Sequence, residues 1–166
     1  MPSRTGTTKK TVIHVIGLIS DTHGPIRPEA LEALKGAELI IHAGDIGKPE
    51  VIHALKKVAP LVAIKGNNDT GIWAKRLPDT TSVKTDDAKL FIIHNVKELN
   101  CDPLVRGYQI VVSGHSHKPS VLTRDGVLFV NPGSAGPRRF KLPIAVAKLF
   151  IQKRQVHAEI LSLIHI

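Results

Sequence analysis

Apolar and polar positions along this chain change rhythm once, near residue 80. Before that point, short apolar runs alternate with amphipathic stretches. "VIHVIGLI" (12–19), "AELIIHAGD" (37–45) and "PLVAIKGNND" (60–69) read as buried strands, each running into a polar turn. Between them, "RPEALEALKG" (27–36) spaces Ala30, Leu31 and Leu34 at helical intervals and stops at a glycine. "KPEVIHALKKV" (48–58) carries a proline that the first turn of a helix accepts. This strand–helix alternation implies parallel neighbours and right-handed crossovers.

Beyond residue 80 the helical spacing fades. "TTSVKTDDAKLFIIHN" (80–95) predicts two strands around a turn at Asp86-Asp87, and "YQIVVSGHSH" (108–117) predicts another. "SVLTRDGVLFVNPGS" (120–134) predicts short strands around Gly126, and "PIAVAKLFIQKRQVHAEILSL" (143–163) a hairpin turning near Gln152 to Arg154. A parallel half and an antiparallel half predict two packed sheets with helices outside.

Composition narrows the setting. A length of 166 residues suits one domain, expected over 12–166, preceded by a basic tail (1–11) expected to be disordered. Aromatics make up only 4%, so the core must be Val, Ile, Leu and Ala. The single cysteine, Cys101, excludes an intramolecular disulfide and fits a reducing compartment. No run approaches the roughly 18–20 apolar residues of a membrane span, and "MPSRTGTTKK" leads into a strand pattern without a cleavage signature. A cytoplasmic location is the expectation. The net charge of +9 attracts anions, but the Lys and Arg residues are dispersed in pairs, as on a solvated surface. Nucleic acid and a second copy of the chain stay open as partners; a membrane does not.

Candidate chemistry concentrates where strands end. Asp21 and His23 follow the first strand, Asp45 the second and Asn67 the third. His94 ends "KLFIIH", and His115 and His117 follow "QIVVS". Each has a structural alternative: Asp21 as a helix cap, Asp45 as an acceptor for backbone amides, Asn67 as a turn residue, His94 as a satisfied core histidine. Seven donors at the ends of five strands favour one shared site, since strand ends are where ligand sites form in open α/β sheets. Carboxylate, amide and imidazole without thiolate suit Mn, Fe, Zn, Ni or Co. Seven donors exceed one tetrahedral ion and suit two ions sharing a carboxylate, roughly 3.5–4 Å apart.

In order, "DTHG", "HAGD", "GNND", the isolated His94, "GHSH" and "NPGS" span residues 21–134. This set resembles the calcineurin-like metallophosphoesterase superfamily, in its small single-domain bacterial and archaeal phosphodiesterase branch. The resemblance implies a four-layer αββα sandwich of two mixed β-sheets flanked by helices. It also implies a dinuclear centre, manganese first among the candidate metals, with Asp21, His23 and His117 on one ion and Asn67, His94 and His115 on the other. Asp45 would bridge them, and Asp45 and Asn67 would take part in catalysis. The implied activity is hydrolysis of a small phosphodiester by a metal-bridging hydroxide attacking phosphorus in line. His42 and Ser134 match motif positions in supporting roles, and Arg138 in "GPRRF" is a candidate for transition-state charge.

Three features depart from the family pattern. Asn95 follows His94 where glycine is usual, the stretch from His94 to His115 is short, and Asn68 stands where larger relatives place a histidine. An amide cannot act as the acid that assists a leaving group. Two rival functions are a non-catalytic scaffold, as in the retromer subunit of similar fold, and a nuclease-like phosphodiesterase. Intact Asp21, His23 and "GHSH" speak against the scaffold.

Overall fold

The computed structural model describes residues 13–138 and 141–163; the expected N-terminal tail (1–11) and the end of the chain lie outside them. Strands β1 (His14–Ile19), β2 (Leu39–His42) and β3 (Leu61–Ala63) pair in parallel, linked by helices α1 (Pro28–Ala33) and α2 (Pro49–Lys56). Proline stands at the start of each helix, where its missing N–H costs nothing. Strands β4 (Thr80–Lys84), β5 (Lys89–Ile93), β6 (Ile110–Val112), β7 (Ser120–Arg124) and β8 (Val127–Asn131) follow. The closing hairpin is β9 (Ala145–Gln152) and β10 (Gln155–Ser162).

These strands form two five-stranded sheets, ordered β10-β9-β1-β2-β3 and β4-β5-β6-β8-β7. Both are mixed. In the first, β9 runs antiparallel to β1; in the second, β5, β6 and β8 are parallel while β4 and β7 are antiparallel edges.

The principal core lies between the sheets, where Ile16, Leu18 and Ile41 face Leu90, Ile92, Ile110 and Val112. The central parallel strands are buried on both faces, which is why they read as unbroken apolar runs. A second core packs Ala30 and Leu34 of the first helical segment, and Val51 and Leu55 of α2, onto Ile19, Ile40 and Val146.

Both α-helices therefore cover the first sheet. Over the second, the helical layer is reduced to a 3-10 turn, Val96–Glu98, with Leu99 packing toward Phe91 and Phe129. The short stretch after His94 leaves too little chain for more. Asn95 has a use there, since its side chain accepts from Lys97 N and caps that turn. A second 3-10 helix, Ile72–Arg76, was not signalled by any apolar spacing. No helix among the described residues is long and apolar enough to cross a membrane.

Candidate metal centre

Every candidate donor lies just beyond the C-terminal end of a parallel strand: β1, β2 and β3 in one sheet, β5 and β6 in the other. Backbone hydrogen bonds tie these loops together. Asp21 N donates to Gly44 O (3.0 Å) and His23 N to Asp45 O (3.0 Å), while Gly114 N donates to His94 O (2.9 Å). The His115 N–H, which donates to Asp21 Oδ2, joins loops of the two sheets at one edge of the sandwich.

There the side chains converge. His117 Nε2 is 3.6 Å, His23 Nε2 3.8 Å and His94 Nε2 3.9 Å from Asp21 Oδ1. His94 Nε2 is 3.3 Å and His23 Nε2 3.7 Å from Asp45 Oδ2. Two donor sets are close enough to share an ion: Asp21, His23 and His117, and Asp21, Asp45 and His94. On the solvent side His115 Nδ1 is 3.3 Å from Asn67 Oδ1, and the His115 ring stands edge-on to His94. All seven predicted donors are therefore neighbours. Asp21 faces His94 as well as His23 and His117, so both carboxylates lie between the two groups of imidazoles.

Five of these residues hold the backbone left-handed: Asp21 (φ 55°), His23 (50°), Asp45 (58°), His115 (73°) and His117 (64°). Among the described residues, the other non-glycine examples are Asp125 and Lys153, in hairpin turns. Each such conformation costs a non-glycine residue about 1–2 kcal/mol. Strain gathered on five candidate donors marks a site whose geometry the rest of the fold enforces. Glycine permits the close packing behind it. A Cβ on Gly66 would lie 2.2 Å from Asp45 Oδ1, and one on Gly114 2.0 Å from Ser20 Oγ.

The carboxylates are anchored on their far sides. Asp21 Oδ2 accepts from Ser20 Oγ (2.7 Å) and His115 N (3.0 Å). Asp45 Oδ1 accepts from Asn68 N (2.9 Å), and Oδ2 from the Asn68 side-chain amide (3.1 Å). His94 Nδ1 lies 2.7 Å from Ala43 O. A carbonyl only accepts, so Nδ1 keeps its proton and the neutral ring holds its lone pair on Nε2, the nitrogen turned toward the carboxylates. That is the tautomer a metal ligand needs. Asp21 Oδ1 and His94 Nε2 are buried without a hydrogen-bond partner, the 3.3 Å approach to Asp45 being out of line for one. Desolvated polar atoms without partners are costly. Their shared direction, with hard and borderline donors around it, fits a divalent transition metal.

Burial raises the Asp21 pKa above the usual carboxylate range, against the opposing pull of Ser20, His94 and His117. Burial acts the same way on Asp45, but the contact with His94, the Asn68 amide and the charges of His94 and His23 outweigh it. Asp45 is held below the usual range. His94 is raised: burial opposes its charge, and Asp45, the Ala43 carbonyl and Asp21 overcome that.

His42 is fully buried behind the centre. Its Nδ1 accepts from Gly44 N (3.1 Å) and its Nε2 meets Thr22 Oγ1 (3.1 Å), which donates to Ile46 O (2.6 Å). Burial first, then the nearby charge of His94, lowers its pKa to about 3. The unfolded chain therefore takes up this proton near pH 6.5, well before the folded protein does. Stability from His42 is full above about pH 6.5 and falls as pH drops toward 3; at pH 5 the loss is about 2 kcal/mol. His94 has the opposite sign, stabilising at low pH, so the comparison must isolate His42. Urea unfolding of metal-stripped wild type and His42→Gln at pH 7 and pH 5 is expected to show the drop only in the wild type. Parallel losses would remove His42 as its source.

Ser134 donates to the Asp21 carbonyl (3.0 Å) and accepts from Gly136 N. Arg138 is exposed and no contact among the described residues brings it to the cluster. Two supporting residues escaped the sequence. Asp69 is buried and accepts from Ile46 N, Gly47 N and Gly66 N at 2.9–3.1 Å, joining the loops of Asp45 and Asn67. Asn131 donates from Nδ2 to Gly114 O and Ser116 Oγ, bracing the His115–His117 loop.

Fold and donor set define a metallophosphoesterase-type domain, and the comparisons agree. The profile of the calcineurin-like phosphoesterase superfamily domain matches residues 15–154, and the chain belongs to that family. It is 31% identical over 159 residues to a protein named probable metallophosphoesterase from Methanothermobacter thermautotrophicus, covering 89% of this chain and 91% of that one. It is 32% identical over 136 residues to a phosphodiesterase of Methanocaldococcus jannaschii, covering 71% of this chain and 82% of that one. The fold also matches Vps29 of Entamoeba histolytica complexed with zinc, with a TM-score of 0.70, 22% identity and coverage of 90% and 99%.

Proposed function

We propose that this protein is a metal-dependent phosphodiesterase. Asp21, His23 and His117 would hold one divalent ion, Asn67, His94 and His115 a second, and Asp45 would serve both, with manganese the first candidate metal. The observation that carries this is the convergence of two carboxylates and three imidazoles on the partnerless Asp21 Oδ1 and His94 Nε2. The naming of a similar archaeal protein as a phosphodiesterase supports the choice of ester. Ions held there would supply Lewis acidity toward phosphoryl oxygens and would lower the pKa of a water molecule.

The protein's own part is positioning. Asn68 fixes both oxygens of Asp45, Ser20 and the His115 amide fix Asp21, and Ala43 sets the His94 tautomer. A cleft of about 550 Å³ beside the cluster is lined by Lys65, Asn67, Thr80, His94, Asn95 and His115. It has room for the alcohol part of a small diester as well as its phosphate. With its amide engaged on Asp45, Asn68 offers the leaving group no proton. Esters of acidic alcohols such as nitrophenol should therefore react far faster than alkyl esters.

The test is a screen of chelator-stripped protein against Mn, Ni, Zn, Co and Mg with bis(p-nitrophenyl) phosphate, p-nitrophenyl phosphate and a dialkyl phosphate. Metal is expected to raise the melting temperature through mass action on the native state, and Mn to give hydrolysis that prefers the aryl diester. An unmoved melting curve would refute the metal centre. A raised curve without turnover on any ester would favour the scaffold.

A further inference from the structure

The outer face of the second sheet carries a groove that phosphoester chemistry does not use. Phe129 of β8 and Leu122 of β7 form its floor, and Val96 and Leu99 wall one side, around a volume of about 550 Å³. Lys97, Lys118 and Arg124 surround it, and no acidic residue lines it. Among the described residues the ion pairs of Lys and Arg are Lys35–Glu32 and Lys65–Asp79, so no carboxylate neutralises these three cations. The Arg124 guanidinium stands over the apolar floor, 6.0 Å from the centroid of the Phe129 ring.

The groove is distinct from the cleft at the metal centre. Residues 94–99 and the loop at 113–118 stand between them. His94, Asn95, Glu98 and His115 line the cleft, while Val96, Lys97, Leu99, Ser116 and Lys118 line the groove. Three like charges over an apolar floor repel one another and concentrate counter-ions. Exposed Leu122 (47%) and Val96 (37%) add apolar surface that water covers poorly. Both costs are relieved by one kind of occupant.

We infer that the groove is a second ligand site, for a small organic anion with a planar apolar body. The body would lie on Phe129 and Leu122, and the negative group would sit among Lys97, Lys118 and Arg124. The volume falls within the range of small-molecule sites. A flat ring against Phe129 beneath a guanidinium uses the stacking and cation–π attraction that Arg124 already offers.

The test is a fluorescence titration of the full, metal-loaded chain with 1-anilinonaphthalene-8-sulfonate, a monoanion with a flat naphthalene ring. Wild type is expected to saturate as one site whose affinity weakens with salt. The double variant Lys118→Glu/Arg124→Glu should raise Kd at least about tenfold, and so should Leu122→Glu, which places a carboxylate on the floor. All three positions are exposed, so melting temperatures should match wild type. Lys48→Glu, on an exposed position outside the groove, should leave Kd unchanged. Non-saturating binding, an unchanged Kd in the groove variants, or equal weakening by Lys48→Glu would overturn the assignment.

Discussion

Asp45→Asn is expected to lower kcat by roughly 10³-fold, equivalent to about 4 kcal/mol of transition-state stabilisation. The substitution keeps shape but removes the charge asked to serve both ions. It also reverses polarity at one atom. Asp45 Oδ1 accepts from Asn68 N, so an asparagine would keep its oxygen there and turn its NH2 toward Oδ2's place. The Asn68 amide and His94 Nε2 are 3.1 and 3.3 Å from that place. Two amide donors would then oppose each other, and the electrostatic attraction to His94 would be gone. The surviving bond to Asn68 N should keep the loop in place, so the loss should appear in turnover and in bound metal while the fold persists. Metal content by elemental analysis, alongside kcat at saturating manganese, decides it. Turnover near wild type at full metal occupancy would refute the shared role of Asp45.

How much of this could be read from residues alone follows from where the information sits. The strands were readable because β1, β2, β5 and β6 are largely buried, leaving compact Val, Ile and Leu runs with little polar interruption. The seven candidate donors were readable because each falls within five residues of the end of such a run. The left-handed backbone at Asp21, His23, Asp45, His115 and His117 was not, since only a small share of aspartates and histidines adopt that conformation and the residue type alone does not signal it. Nor did the sequence show that Asn68 turns onto Asp45, because an asparagine in a Gly-Asn-Asn turn has its own local bonding to satisfy. The thin helical layer over the second sheet was half visible in the short stretch after His94. What that exposed face offers depended on side-chain directions across β7 and β8.

Asp69 is the clearest case of a residue hidden by its neighbours, and Asp69→Ala should cost about 4 kcal/mol of stability. The residue is 4% exposed, and its carboxylate accepts three backbone N–H groups: Ile46, Gly47 and Gly66. Charge-assisted bonds of this kind contribute about 1.5–3 kcal/mol each, and stranding buried N–H groups adds its own desolvation cost. Some of that total returns if water enters the space, which brings the estimate to about 4 kcal/mol. A domain of this size has about 5–15 kcal/mol in all, so the alanine variant would sit near unfolding. Asp69→Asn keeps one acceptor and gives a milder, measurable version. Its amide can serve Ile46 N and Gly66 N, which share Oδ2, but it presents NH2 to Gly47 N. Because the bonds join the loops that carry Asp45 and Asn67, metal affinity should fall together with stability. A change confined to stability would mean that the loops hold their geometry without this clasp. Urea unfolding of the metal-stripped variants gives the first quantity and manganese titration of the asparagine variant the second. A loss below about 1 kcal/mol in Asp69→Ala would show that the three amides find other partners, and that the clasp is not what holds the two loops at the metal centre.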